Sequence, residues 1–92
     1  MFKVLVEEEV LCKIESLPGN YPKNIKTKLK GLEQNPFPDG HDKKEIKGSS
    51  KTAYRLRIGD YRIFYIIDFI KKEVKITEFM TAEQAHKKYG LI

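Results

Sequence analysis

The chain has 92 residues, of which 40% are hydrophobic and 34% charged. This length permits one domain, residues 1–92, with a single modest core, and the composition is that of a folded soluble protein rather than a disordered one. The apolar runs are too short for a membrane span, and the acidic N-terminal region lacks the long apolar stretch of a signal peptide. We therefore expect a cytoplasmic protein without a membrane partner.

The first part of the chain is predicted to hold one strand and two helices. The segment "FKVLVE" predicts the strand, and Val10, Ile14 and Leu17 then recur at the spacing of a helix. A second helix follows a break at residues 18–20. Its apolar side comprises Tyr21, Ile25, Leu29 and Leu32. The single cysteine, Cys12, excludes an internal disulfide and is predicted to be a small buried residue of the first helix.

The second helix also carries a stripe of lysines. Lys23, Lys26 and Lys30 lie roughly opposite its apolar side. We interpret this stripe as a solvated helix face, and the alternative is a surface that binds phosphates or an acidic partner.

The second part of the chain is predicted to be rich in strands. A loop, "NPFPDGHD", is followed by four strand-like segments, "KKEIKG", "TAYRLRI", "YRIFYIIDF" and "EVKITEFM". A capping box formed by Thr81 and Gln84 then begins a short helix, and Gly90 ends it. This order predicts an α+β fold with an N-terminal strand, a two-helix hairpin, a mostly antiparallel sheet of consecutive strands and a short C-terminal helix.

The stretch "YRLRIGDYRIFYIID", residues 54–68, predicts a hairpin with an unusual charge pattern. With Gly59 and Asp60 as its two-residue loop, Arg57 lies directly opposite Arg62. Side chains alternate along a strand, so Arg55 joins these two arginines on one face of the sheet, although like charges placed opposite each other are destabilising. The other face is predicted to be the core. It carries Tyr54, Leu56, Ile58, Tyr61, Ile63 and Tyr65.

The three arginines suggest a site for an external anion. The net charge of +5 suits a polyanionic partner, and an arginine fork binds phosphate oxygens bidentately. Phe64, on the same face, is predicted to stack a base. Further RNA-binding candidates are Lys43, Lys47 and Lys51. The alternative is that these charges are ordinary solvent-exposed side chains.

Other kinds of site find little support in the sequence. His41 and His86 lack metal-ligand spacing, and there is no glycine-rich phosphate loop, so we expect neither a metal nor a small-molecule cofactor. His86 and Tyr89 lie three residues apart on the last helix and share one side of it. This titratable pair is predicted to enter the arginine site.

The segment "EIKGSSKTAYRLRIGDYRIFYIID" resembles the RelE/ParE superfamily of toxin–antitoxin toxins, on the RelE side. The resemblance implies an endoribonuclease that cuts messenger RNA on the ribosome and is inhibited by an acidic RelB-like antitoxin. It also implies that Arg62 is the central phosphate-binding residue, with Arg55 and Arg57 as basic catalytic positions and Tyr89, then His86, as candidates for proton transfer.

The C-terminal segment departs from the family pattern. Members often end with a His-Arg pair followed by Tyr, whereas "TEFMTAEQAHKKYG" places Thr81 and Ala82 near the expected pair. Two alternatives therefore remain open. One is a ParE-like toxin that inhibits gyrase, and the other is an inactive module that only binds the antitoxin.

Overall fold

The computed structural model describes residues 1–46 and 52–90, and its elements follow the predicted order. These elements are β1 (Lys3–Val6), α1 (Glu8–Glu15), α2 (Tyr21–Gly31), β2 (Lys43–Ile46), β3 (Ala53–Ile58), β4 (Tyr61–Asp68), β5 (Glu73–Thr81) and α3 (Ala82–Tyr89). None of the helices in the described ranges is long and apolar enough to cross a membrane. The predicted α+β class is confirmed.

The strands form one five-stranded sheet in the order β1-β5-β4-β3-β2. β1 pairs with β5 in parallel, and the other neighbours are antiparallel. The mostly antiparallel sheet is therefore as predicted.

The core lies between one face of the sheet and helices α1 and α2. Buried side chains of the two helices pack against the predicted apolar face of β3 and β4 and against β5. Burial of each such large side chain contributes about 1.5–3 kcal/mol. The helical members are Val10, Ile14, Ile25, Leu29 and Leu32, and the strand members are Tyr54, Leu56, Ile63, Tyr65, Val74, Ile76 and Phe79.

One expectation about the helices is wrong. Cys12 is exposed rather than buried, because it lies midway between Val10 and Ile14, which form the buried side of α1. Tyr21, at the start of the apolar side of α2, is 48% exposed. Its ring contacts Tyr61 edge-on at 5.6 Å between centroids, at the margin of the core.

The hairpin and the last helix form as the sequence predicts. Arg57 is the partner of Arg62 across β3 and β4, and Gly59 has a φ of 56°, a conformation that favours glycine at the first loop position. The capping box of Thr81 and Gln84 begins α3, and Gly90 follows its last residue with a φ of 80°.

Candidate nucleic-acid interface

The arginine face is the side of the sheet that carries Arg55, Arg57 and Arg62, away from α1 and α2. Cross-strand partners point to the same face of a sheet, so the register assigns two rows of side chains to it. The first row, across β2 to β5, comprises Lys44, Arg55, Phe64 and Glu78. The second row comprises Arg57, Arg62 and Met80.

Arg55 is the innermost of the three arginines, with only 3% of its surface exposed. Its Nη2 donates to the carbonyl oxygens of His41, at 3.0 Å, and Asp42, at 3.4 Å. Its Nε has no hydrogen-bond partner within the described part of the chain. Burial, and then the positive charges of Arg62 and Arg57, lower the pKa of Arg55. The three guanidinium groups are thus close enough to repel one another.

Arg57 and Arg62 form the more accessible end of the cluster. Arg57 Nη2 lies 3.4 Å from Asp42 Oδ1, and the Arg57 side chain is 49% exposed. Arg62 Nη1 donates to the carbonyl oxygens of Gly59, at 2.8 Å, and Tyr61, at 2.9 Å. Burial and the charge of Arg57 lower the pKa of Arg62. Among the described residues, Asp42 is the one carboxylate in an ion pair with these arginines.

Phe64 is covered by the C-terminal helix rather than open to a ligand. It is 2% exposed, and the Tyr89 ring packs on it with centroids 4.7 Å apart and a 37° tilt. The Tyr89 hydroxyl donates to Glu78 Oε1, and Lys88 Nζ donates to Glu78 Oε2. We call Glu78, Lys88 and Tyr89 the tail clamp. The sequence predicted that Phe64 stacks a base, but in the structure the Tyr89 ring already covers it.

The tail clamp also changes the chemistry available to Tyr89. Burial, followed by the hydrogen bond and charge of Glu78, raises the pKa of Tyr89. His86 lies on the same helix with an exposed side chain. Tyr89 therefore lies beside the first row of the arginine face but is bound to Glu78, whereas His86 is exposed to solvent.

The predicted lysines are distributed differently from the arginines. The cross-strand partner of Lys43 is Leu56, which belongs to the core face, and Lys43 Nζ donates to the carbonyl oxygen of Asn35 at 2.7 Å. The structure does not bring Lys43 to the arginine face. Lys47 and Lys51 lie outside the described residues.

Sequence reasoning missed three residues of this interface. Lys44 is exposed and is the cross-strand partner of Arg55, so it lies on the arginine face, whereas the predicted candidate Lys43 does not. Alternation of side chains along β2 identifies Lys44 as the lysine on the arginine face, once the register between β2 and β3 is known. Asp42 and Glu78 were missed because their contacts with Arg57 and Tyr89 join elements distant in the sequence.

Comparison with known proteins identifies relatives over nearly the whole chain, although no protein-family model matches it. A protein of Methanocaldococcus jannaschii, provisionally named toxin RelE1, is 32% identical over 87 residues, which cover 94% of this chain and 96% of that protein. A chain of the archaeal RelE–RelB complex of Pyrococcus horikoshii OT3 aligns with a TM-score of 0.76 and 27% identity, over 87% of this chain and 93% of that one.

The isolated RelE toxin of Escherichia coli has the same fold. Its TM-score is 0.73, with 18% identity over 96% of this chain and 98% of that chain. The fold follows from these superpositions, and the family follows from the identity and coverage of the M. jannaschii relative. The chain belongs to the RelE family of toxins of toxin–antitoxin systems.

Proposed function

We propose that this protein is a ribosome-dependent, metal-independent endoribonuclease that cleaves messenger RNA and is inhibited by an acidic RelB-like antitoxin. The observation that carries the proposal is the convergence of Arg55, Arg57 and Arg62 on one face. Among the described residues, Asp42 is the one carboxylate that forms an ion pair with them. A phosphodiester would supply the negative charge that this cluster lacks, and guanidinium forks match its oxygens.

The three arginines are suited to different tasks. Arg57 and Arg62 are cross-strand partners near the end of the hairpin, which suits them to bind one phosphate together. Arg55 is buried and held by two backbone carbonyls, so we assign it a positioning and electrostatic role beneath them. Exposed Lys44, beside Arg55 in the first row, would contact a neighbouring phosphate.

The reaction is an attack by the ribose 2′-hydroxyl on the adjacent phosphorus. The bond from the 2′-oxygen to phosphorus forms and the bond from phosphorus to the 5′-oxygen breaks, while a base removes the 2′-proton and an acid protonates the departing 5′-oxygen. Arg57 and Arg62 would stabilise the extra negative charge on the phosphorane. DNA lacks the 2′-hydroxyl and would not be cleaved.

Tyr89 is our first candidate for the acid, and His86 is the second. The Tyr89 hydroxyl is bound to Glu78 and its pKa is raised, so it stays protonated and must leave Glu78 before it can donate to the substrate. His86 carries no such restriction, because its side chain is exposed.

The ribosome would supply the orientation of the RNA. Two accessible arginines and Lys44 attract a backbone without fixing its geometry, and correct alignment of the attacking group accounts for a large part of catalysis. Inhibition by an acidic segment suits the +5 charge of the chain. A related archaeal RelE was solved in complex with RelB.

The direct test is induced expression followed by mapping of messenger RNA ends, with purified protein, ribosomes and defined transcripts in parallel. We expect cuts within coding RNA only when ribosomes are present, and the same rate after phenanthroline removes transition metals. DNA topology serves as the comparison. Intact transcripts together with altered supercoiling would replace the nuclease proposal with the ParE-like alternative.

A second candidate is an antitoxin-binding module without nuclease activity. The tail clamp favours it, since Glu78 occupies the hydroxyl of the first candidate acid. In this case the protein would bind the antitoxin tightly and yet leave ribosome-bound transcripts uncut, which the same mapping experiment distinguishes.

A further inference from the structure

A shallow, open groove runs along the outer side of α2, across the helix layer from the arginine face. Its volume is about 530 Å³. The lining residues are Gly19, Pro22, Lys23, Lys26, Thr27 and Lys30. We call this feature the lysine groove. It lies beyond the core that separates α2 from the arginines, so it is a second cationic surface rather than an extension of the first.

The lysine groove carries more positive charge than its surroundings balance. All three lysines are exposed, and Lys26 forms an ion pair with Glu15 at 2.9 Å. Within the described ranges, Lys23 and Lys30 take part in no ion pair. Like charges three and four residues apart on a helix repel one another. An external polyanion would relieve this repulsion.

The spacing favours an extended backbone over a single phosphate. At a helical rise of 1.5 Å per residue, Lys23 and Lys30 are about 10 Å apart along the axis of α2. The lining also lacks the large apolar anchors that dominate the affinity of protein–protein interfaces. These features fit a series of phosphates better than an acidic protein segment.

The adjoining surface adds polar groups suited to ribose. A second, shallow depression of about 390 Å³ shares Gly19 with the lysine groove and is lined also by Pro18, Asn20, Tyr21 and Asn24. Amide and phenol groups at the edge of a lysine row can bind 2′-hydroxyls, which double-stranded RNA displays in its wide minor groove together with its phosphates.

We propose that the lysine groove binds the sugar–phosphate backbone of double-stranded RNA, at a site separate from the cleavage site. The inference goes beyond the proposed function and does not depend on nuclease activity. The arginine face would take the single strand to be cut, and the lysine groove would hold a structured RNA on the opposite side of the protein.

The test measures binding of a fluorescent RNA duplex and of an unstructured single strand over a range of salt concentrations. The triple variant K23Q/K26Q/K30Q removes the charge of the groove. The control K3Q/K13Q/K71Q removes three exposed lysines elsewhere, including one with an ion pair to Glu9, so both variants lose the same net charge and one ion pair.

We expect the groove variant to lose about tenfold or more in duplex affinity at 0.1 M salt and to reduce the slope of log K against log salt by about 2–3, since each phosphate contact contributes about 0.9. The control variant should stay close to the parent. K23R/K26R/K30R keeps the charge and should keep duplex binding, and matched melting curves would show that the glutamine variant is folded. Single-strand binding should instead respond to Arg62→Ala.

Equal losses in the groove and control variants would overturn the proposal, because net charge alone would then explain binding. Unchanged duplex binding in the groove variant would also overturn it. If that same variant had lost affinity for an acidic antitoxin, the groove would be a protein-binding site. Failure of ribosomal cleavage would contradict the proposed function without affecting the duplex measurement.

Discussion

Replacement of Arg62 by alanine separates its proposed role in cleavage from its role in the fold. Loss of the repulsion between Arg62 and Arg57 stabilises the variant by about 0.2–1 kcal/mol. The change also removes two hydrogen bonds to the carbonyl oxygens of Gly59 and Tyr61. Each contributes about 0.5–1.5 kcal/mol, at the lower end where water can replace the donor, as at exposed Gly59. With about 0.5 kcal/mol lost at exposed Gly59 and about 0.5–1.5 kcal/mol lost at part-buried Tyr61, the losses exceed the relief of repulsion by about 0–2 kcal/mol. We therefore expect a modest loss of stability.

The effect on cleavage should be far larger. A preorganised donor to a developing negative charge contributes about 10²–10³ in rate, so ribosome-dependent cleavage by Arg62→Ala should fall by about that factor. The rate is measured by primer extension on stalled ribosomal complexes, and stability is measured by thermal unfolding. Arg62→Lys keeps the charge but loses the bidentate fork, and its rate should be intermediate.

Two results would refute this reasoning. Since about 1 kcal/mol corresponds to about 4–8 °C in a domain of this size, a melting temperature lowered by well over about 16 °C would make Arg62 a structural residue. A normally folded Arg62→Ala with parental cleavage would remove it from the proposed phosphate site.

Three further predictions concern the lysines, the tail and the tyrosines. Lys44→Ala should weaken RNA binding with little change in stability. Lys43→Ala should instead lower the free energy of unfolding by about 1–3 kcal/mol, because the Lys43 ammonium group donates to a backbone carbonyl and its side chain is only 14% exposed. Urea titrations and RNA-binding assays distinguish the two variants. Tyr89→Phe keeps the ring on Phe64 and should slow cleavage by about 10²-fold or more if its hydroxyl is the acid; a parental rate together with an inactive His86→Ala would move the role to His86. Because the pKa values of Tyr65 and Tyr89 are raised in the folded state, stability should fall as the pH rises above about 10, where the unfolded chain ionises and the folded chain does not. Thermal unfolding between neutral and alkaline pH measures this slope, and Tyr65→Phe should reduce it.

The hairpin shows how far local rules carry from sequence to structure. A two-residue loop with glycine at its first position fixes the register of both strands, and alternation then assigns every side chain to a face. The predicted pairing of Arg57 with Arg62 is therefore confirmed. The capping box at Thr81 is equally local, and it too was predicted correctly.

The register between β2 and β3 could not be predicted in the same way. The connection between these two strands is longer than a tight turn and does not fix the register, so the sequence did not determine which lysine lies beside Arg55. A shift of one residue exchanges the two faces of a strand. The structure pairs Lys44 with Arg55 and Lys43 with Leu56, which places Lys44, and not Lys43, on the arginine face.

The tail clamp depends on a register shift between β4 and β5 that the sequence does not predict. The register between β4 and β5 shifts by one residue between Phe64 and Tyr65, so Glu78 pairs with Phe64 while Ile76 pairs with Tyr65. Without this shift, Glu78 would point to the core face, where an unpaired carboxylate is costly. Because of the shift, Glu78 lies on the arginine face and accepts hydrogen bonds from Tyr89 and Lys88.

The same register shift would limit where the proposed RNA substrate can bind. The clamp holds the Tyr89 ring over Phe64, and Phe64 is the direct neighbour of Arg55 in the first row. The β5 side of that row is therefore covered by α3. The second row lies nearer the hairpin loop, and its Arg57 side chain is half exposed. A substrate phosphate would then approach Arg57 and Arg62 from the hairpin end, and any proton transfer by Tyr89 would first require its hydroxyl to exchange the carboxylate of Glu78 for the substrate.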